Sequence, residues 1–322
     1  MKDDLLGDSL MKRYQTMVVA AALDDRDATT MRHAARFAHA AESKAVYVAH
    51  VAPTFDMPEE VARQQPELVI PVDEEIEKKI GAMVEEHRHL FPEGIGVHAI
   101  TREGSVVPEL VRLAAQKSAD IFCLGRRPPQ DHDLLSESAM RLVQKLPCSV
   151  FVVPPEVEPQ YERILVPVDF SDHSREALDV ACAIAHFMPG ASVTVQHTYE
   201  VPLGWHKLGH SYEEFAAIMK GHAERDWKKL MPQINFHGVP WTARFDLGEK
   251  VPKTILAVAD EIDANLVVMG SHGRTRTAAF LLGHVADTVC ARTARPVLCV
   301  KKKGEVVNFL HAILQCFENE NK

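Results

Sequence analysis

Six cysteines in 322 residues, with no C-x-x-C among them, leave neither a disulfide framework nor a cysteine-type zinc site to hold this chain together. Cys123, Cys148, Cys182, Cys290 and Cys299 lie in apolar strand-like or helical segments, which suits reduced packing residues. No run of 18 or more apolar residues occurs, so no membrane span is expected. The opening Met1-Lys2-Asp3-Asp4-Leu5 lacks the basic-then-apolar order of a secretory signal, and the expected location is cytoplasmic. Positive charge is sparse too. Lys and Arg number 36 against 45 Asp and Glu, the net charge is −9, and Lys301-Lys302-Lys303 is too short to attract nucleic acid or an anionic membrane. The signatures G-x-x-x-x-G-K-[ST], G-x-G-x-x-G, G-x-S-x-G and H-E-x-x-H are all missing, which removes the P-loop, dinucleotide-fingerprint, nucleophile-elbow and zincin chemistries. His206 and His210 stand four apart, but Pro202 and Gly204 precede them and no cysteine is near. Chance clustering among 17 histidines explains the pair, and no metal site is expected.

What is present is a well-packed globular composition, 46% apolar and 25% charged, at a length that suits two domains. The chain repeats itself. Met17-Val18-Val19-Ala20-Ala21-Ala22 aligns without gaps on Ile164-Leu165-Val166-Pro167-Val168-Asp169, and Val46 to Val51 aligns on Val193 to Thr198 at the same offset. Further on, Gly104-x3-Pro108 matches Gly248-x3-Pro252, and Ala119 to Gly125 matches Ala264 to Gly270. Each copy closes on an apolar run, Cys148 to Val153 and Pro296 to Val300. Pro154-Pro155 and Glu156 to Gln160 read as an extended linker. The expected domains are residues 13–155 and 161–303, with 304–322 as a tail helix whose dense apolar residues, Val306 to Phe317, suit packing or a partner.

Within each copy, short β-branched runs alternate with helical patterns, which predicts parallel strands joined by crossover helices in a doubly wound α/β domain. Ser171-Asp172-His173-Ser174 starts a capped helix that runs to about Ile184. Ligands of such sheets bind at the carboxyl ends of the strands, where the strand order reverses. Asp169 and Gly270 both follow strands and are expected to meet at one crevice. Trp205, Tyr212, Phe215 and Ile218 are expected to cover it.

The most informative stretch is Val267-Val268-Met269-Gly270-Ser271-His272-Gly273-Arg274, followed by Gly283-His284 with nine residues between Gly273 and Gly283. An apolar strand enters glycines that let the backbone turn sharply and approach a ligand, and another glycine opens the next helix. Unsatisfied N–H groups at a helix start suit a phosphate. This spacing, together with Ile164-Leu165-Val166-Pro167-Val168-Asp169-Phe170-Ser171, resembles the ATP-binding signature and first strand of the universal stress protein family, in which the last glycine is followed by Ser or Thr.

The resemblance implies two tandem doubly wound parallel five-stranded sheets, Rossmann-like and akin to the adenine nucleotide alpha hydrolases. It implies that Pro167, Val168 and Thr198 line an adenine slot and that Asp169, with Phe170 beside it, meets the adenosine. It further implies that Gly270, Gly273 and Gly283 hold phosphates through main-chain N–H groups, with Met269, His272, Arg274, His284 and Val285 around them. The expected ligand is ATP, with AMP or ADP as alternatives and Mg²⁺ as companion to a triphosphate. His284 departs from the family pattern: a cationic ring favours a polyphosphate, whereas a neutral ring outside the pocket merely caps the helix. In the first copy Ala22 stands for Asp169, Pro128 for Gly273 and Ser138 for Gly283, so that copy is expected to be degenerate, and Arg126-Arg127, though able to meet an anion, are expected to be an ordinary solvated pair on a loop. Family domains pair through their last strands, which implies an intramolecular pseudo-dimer or a homo-oligomer, with an unidentified protein partner reading the nucleotide state. The expected function is a nucleotide-dependent signalling or protective module of the stress response. A slow ATPase and a nucleotide-free dimeric scaffold are the alternatives, and no committed general base is evident among Asp169, Arg274 and His284.

Overall fold

The computed structural model describes residues 13–54, 72–127, 135–273 and 282–301. The first half runs β1 (Thr16–Ala20), α1 (Arg26–Ala40), β2 (Ala45–Ala52), α2 (Val72–His87), β3 (Gly96–Glu103), α3 (Val106–Gln116), β4 (Ile121–Gly125), α4 (Glu137–Lys145) and β5 (Ser149–Val153). The second half repeats the order with β6 (Arg163–Pro167), α5 (Asp172–His186), β7 (Ser192–Tyr199), α6 (Tyr212–Leu230), β8 (Trp241–Leu247), α7 (Val251–Glu261), β9 (Leu266–Gly270), α8 (His284–Arg292) and β10 (Val297–Val300). The apolar runs form the central strands. β5 and β10 are buried along their whole length, as strands covered on both faces must be.

The two five-stranded sheets expected in tandem are joined into one ten-stranded sheet in the order β3-β2-β1-β4-β5-β10-β9-β6-β7-β8. Strands within each half are parallel, and β5 meets β10 antiparallel through Val150 with Cys299, Phe151 with Leu298 and Val152 with Val297. Joining the halves removes two strand edges that would otherwise expose unpaired backbone groups. The two apolar layers, one on each face, both draw residues from the two halves, so neither core closes without its partner.

Charged side chains bind the junction. Lys301, just past β10, donates from Nζ to the carbonyl of Leu146 at 2.5 Å, at the end of α4, and burial lowers its pKa to about 8. Arg13 reaches from the first half to Glu176 at 2.5 Å and to the Lys301 carbonyl at 2.9 Å. Arg126, read from sequence as half of an exposed, solvated charge pair, is 3% exposed and donates to the carbonyl of Thr293 just after α8. Its guanidinium therefore serves the junction and not an anion. No helix among the described residues is long and apolar enough to cross a membrane.

Candidate functional site

In the second half the strand order reverses between β6 and β9, and there the carboxyl ends of β6, β7 and β9 open into a cavity of about 370 Å³. Its apolar wall is Pro167 and Val168 from β6 and the turn after it, Met269 from β9, and Val251 and Ile255 from α7. Its polar wall brings together Asp169, Ser174, Gln196, His197, Thr198, Ser271 and His272. Gly270, Gly273, Gly283, His284, Val285 and Ala286 complete the lining. Thus, of the residues expected from sequence to hold the nucleotide, all but Phe170 and Arg274 converge on one space.

The turn after β6 positions Asp169. Phe170 has a φ of +64°, and its counterpart Leu23 has +59°, so both copies make the same left-handed step, costly for a bulky residue. Phe170 does not line the cavity. Its ring packs against His197 at 4.4 Å between centroids, tilted by 34°, and lies against the core, which makes it a support for the turn. The Ser171 backbone N–H and hydroxyl donate to Asp169 Oδ1 at 3.1 and 2.6 Å. The other oxygen faces the loop after β9, since a Cβ on Gly273 would sit 2.8 Å from Asp169 Oδ2. His197 Nδ1 meets the carbonyl of Val168 at 2.7 Å, and His50 meets Ala21 at 2.9 Å in the first half. This histidine therefore ties neighbouring strand ends in both copies.

The three glycines do different work. Gly270 is forced by packing, because a Cβ there would lie 2.9 Å from the backbone carbon and oxygen of His173 in the first turn of α5. Gly273 leaves room for Asp169. Gly283 is the N-cap of α8 with φ −62° and ψ 145°, and its N–H donates to the Ser271 carbonyl at 2.8 Å, so that group is engaged within the protein and not turned to a phosphate. The first intrahelical bond of α8 is Asp287 N–H to the Gly283 carbonyl at 2.9 Å. The N–H groups of His284, Val285 and Ala286 precede it and have no carbonyl of their own helix to meet, and all three residues line the cavity. Unsatisfied N–H groups at the start of a helix are the kind of donors that suit an anion. The His284 side chain is exposed and does not fill the crevice. Arg274 and the C-terminal tail lie outside the described residues.

The sequence model of the universal stress protein family matches this chain twice, over residues 13–154 and 160–301. The chain belongs to the universal stress protein family. A universal stress protein of Methanocaldococcus jannaschii is 28% identical over 157 residues, a stretch covering 45% of this chain and 97% of that protein. A solved universal stress protein of Archaeoglobus fulgidus shares the fold over 92% of this chain and 99% of its own, with a TM-score of 0.61 at 19% identity. A solved universal stress protein in complex with cAMP is 24% identical, with a TM-score of 0.36 over 44% of this chain and 97% of its own.

The first universal stress protein unit has a crevice of similar size, about 380 Å³, at the matching place. Its chemistry differs. The turn N–H groups of Ala22, Leu23 and Asp24 all donate to the buried Asp27 carboxylate, and Ser136 caps α4 by accepting from Ala139 N–H. Arg26 is held by Asp24 at 2.6 Å. Arg127 does line this crevice and is exposed, while Pro128 and Pro129 lie outside the described residues. The donors of the turn, and one of those at the helix start, are thus taken up by the protein itself.

Sequence reading missed Ser174, Gln196, His197, Val251, Ile255, Ser271 and Ala286 in the second crevice. The signal for Gln196 was visible as the one amide side chain in β7, and that for Val251 and Ile255 was the helix opened by Gly248-x3-Pro252. Trp205, Tyr212, Phe215 and Ile218, expected over the crevice, do not line it. Trp205 packs instead on Tyr212 at 5.6 Å, and Ile218 is exposed.

Proposed function

We propose that the second crevice binds ATP or a related adenine nucleotide, and that the chain acts as a nucleotide-dependent signalling or protective module of the stress response. The observation that carries this is the pairing of an apolar slot with an uncapped helix start in one 370 Å³ space, with the half-buried carboxylate of Asp169 between them. The slot takes a base, the carboxylate accepts from ribose hydroxyls, and the first-turn N–H groups of α8 take phosphate oxygens. Sites of this size and mixed lining are typical of small-ligand pockets. The exposed position of His284 favours binding over a nucleotide-free scaffold, because the ring leaves the crevice open. Signalling then requires only that the nucleotide prefer one of two conformations of the chain.

The test is titration calorimetry on nucleotide-free protein with ATP, ADP, AMP and cAMP, backed by mass spectrometry of nucleotide released on denaturation. One adenine nucleotide per chain is expected. Asp169→Ala should weaken binding about thirtyfold, or about 2 kcal/mol, because it removes a charged acceptor and loosens the turn held through Ser171. Absence of heat with every nucleotide at millimolar concentration would defeat the proposal.

A further inference from the structure

One polar group in the floor of the second crevice is explained neither by a phosphate nor by a ribose. Gln196 lies on β7, where Val193 and Val195 pack in the opposite layer, and strand alternation puts it on the same side as Thr198. It is 1% exposed. Its amide nitrogen donates to Thr198 Oγ1 at 2.8 Å and to Asp246 Oδ2 at 3.2 Å. Its carbonyl oxygen is buried and has no hydrogen-bond partner.

The orientation of that amide is fixed by its neighbours. Asp246 offers only acceptors, so turning the amide over would set oxygen against oxygen. Asp246 is in turn gripped by Arg244, with Nη2 to Oδ1 at 2.6 Å and Nε to Oδ2 at 3.0 Å. The same guanidinium holds both oxygens of Glu261 on α7 at 3.0 Å, and its two carboxylate partners raise its pKa. A relay across β8, β7 and α7 thus leaves one buried acceptor unmet on a side chain that lines the slot. A buried acceptor without a donor is destabilising and calls for a donor from elsewhere. The fold does not require it: the matching residue in the first copy is Ala49, which also lines its crevice.

We propose that Gln196 is the base-reading residue of this site, its Oε1 accepting an N–H from the nucleobase, which adenine supplies at its 6-amino group. The inference rests on the adenine-nucleotide reading above. Apolar walls at Pro167, Met269 and Ile255 leave water little part in that end of the slot, so a base lacking the donor loses a bond that nothing replaces.

The experiment compares ATP with purine riboside 5′-triphosphate, which differs only in lacking the 6-amino group, on the full chain and on Gln196→Leu and Gln196→Ala. The parent should prefer ATP by about tenfold or more. Both variants should bring the two ligands within about twofold of each other, by losing ATP affinity while holding that for the analogue. The alanine variant copies Ala49, so it keeps the test open should leucine pack badly. Equal affinity of the parent for the two ligands, or a preference for ATP that survives both substitutions, overturns the role of Gln196. Failure of the parent to bind either ligand brings down the nucleotide reading itself, and that result is distinct from binding without discrimination.

Discussion

Gly270→Ala is expected to destabilise the chain by about 3 kcal/mol, while Gly283→Ala costs about 1 kcal/mol. Both glycines belong to the same signature, so the difference separates packing from ligand contact. At Gly270 the added methyl meets backbone, the carbon and oxygen of His173 at 2.9 Å, and its nearest side-chain atom is the Cβ of the same residue at 3.1 Å. Backbone in the first turn of α5 cannot step aside without lifting the helix from β9, against which it packs closely. At Gly283 the nearest atoms are 3.5 Å away, an ordinary contact, and φ is −62°, a value alanine adopts freely. Only the weaker preference for alanine at a helix N-cap remains. Urea unfolding of the two variants beside the parent measures this, and comparable midpoints for the two would show that α5 is not seated through Gly270. At Gly273 the obstacle is a side-chain oxygen of Asp169. Alanine there should shift that carboxylate and register in nucleotide affinity more than in stability.

The three glycines also mark where sequence reading reaches its limit. Their spacing located the loop, the strand before it and the helix after it, because those are local properties of a few consecutive residues. Which glycine is present for a helix, which for a carboxylate and which for a helix cap depends on His173, Asp169 and Ser271. The first two of these lie about a hundred positions away in the chain. The offset of 147 between copies made the doubled architecture legible, and the alternation of apolar runs and helices gave its parallel strands. The antiparallel junction of β5 with β10 left no local trace, and only family resemblance suggested it. Its charged ties were read differently or passed over. Arg126 looked like a free loop cation because nothing near it in sequence announces the Thr293 carbonyl, and Lys301 was read only as part of a basic run too short to bind nucleic acid, although it ends on the Leu146 carbonyl. Gln196 stood out as a letter, but its meaning needed Asp246, fifty residues on.

Acidification should weaken the chain between pH 6.5 and about 4 by roughly 3 kcal/mol through His33 alone, over and above the titration of carboxylates. His33 on α1 is fully buried where the linker between the halves crosses it. Its Nε2 lies 2.8 Å from the Val157 carbonyl, which can only accept, so this nitrogen carries the proton. Nδ1 then accepts from the Tyr161 hydroxyl at 2.7 Å. The ring is thus fully used in its neutral form, and burial lowers its pKa from 6.5 to about 4, with the cation of Arg32 adding to the effect. Above pH 6.5 the folded and unfolded chains both carry the neutral ring and His33 adds no pH dependence. As pH falls below 6.5 the unfolded chain takes up a proton that the folded chain refuses, which favours unfolding until the folded ring titrates near pH 4. The gap of about 2.5 pH units, at roughly 1.4 kcal/mol each, gives the magnitude. His33→Gln separates this from general acid unfolding, since its amide can donate to Val157 and accept from Tyr161 without titrating. The variant should match the parent to within about 1 kcal/mol at pH 7 and overtake it below pH 5 in urea midpoints taken at successive pH values. Parallel pH profiles for parent and variant would mean that His33 takes up its proton in the folded chain, and that the contact holding the linker to α1 survives a charge.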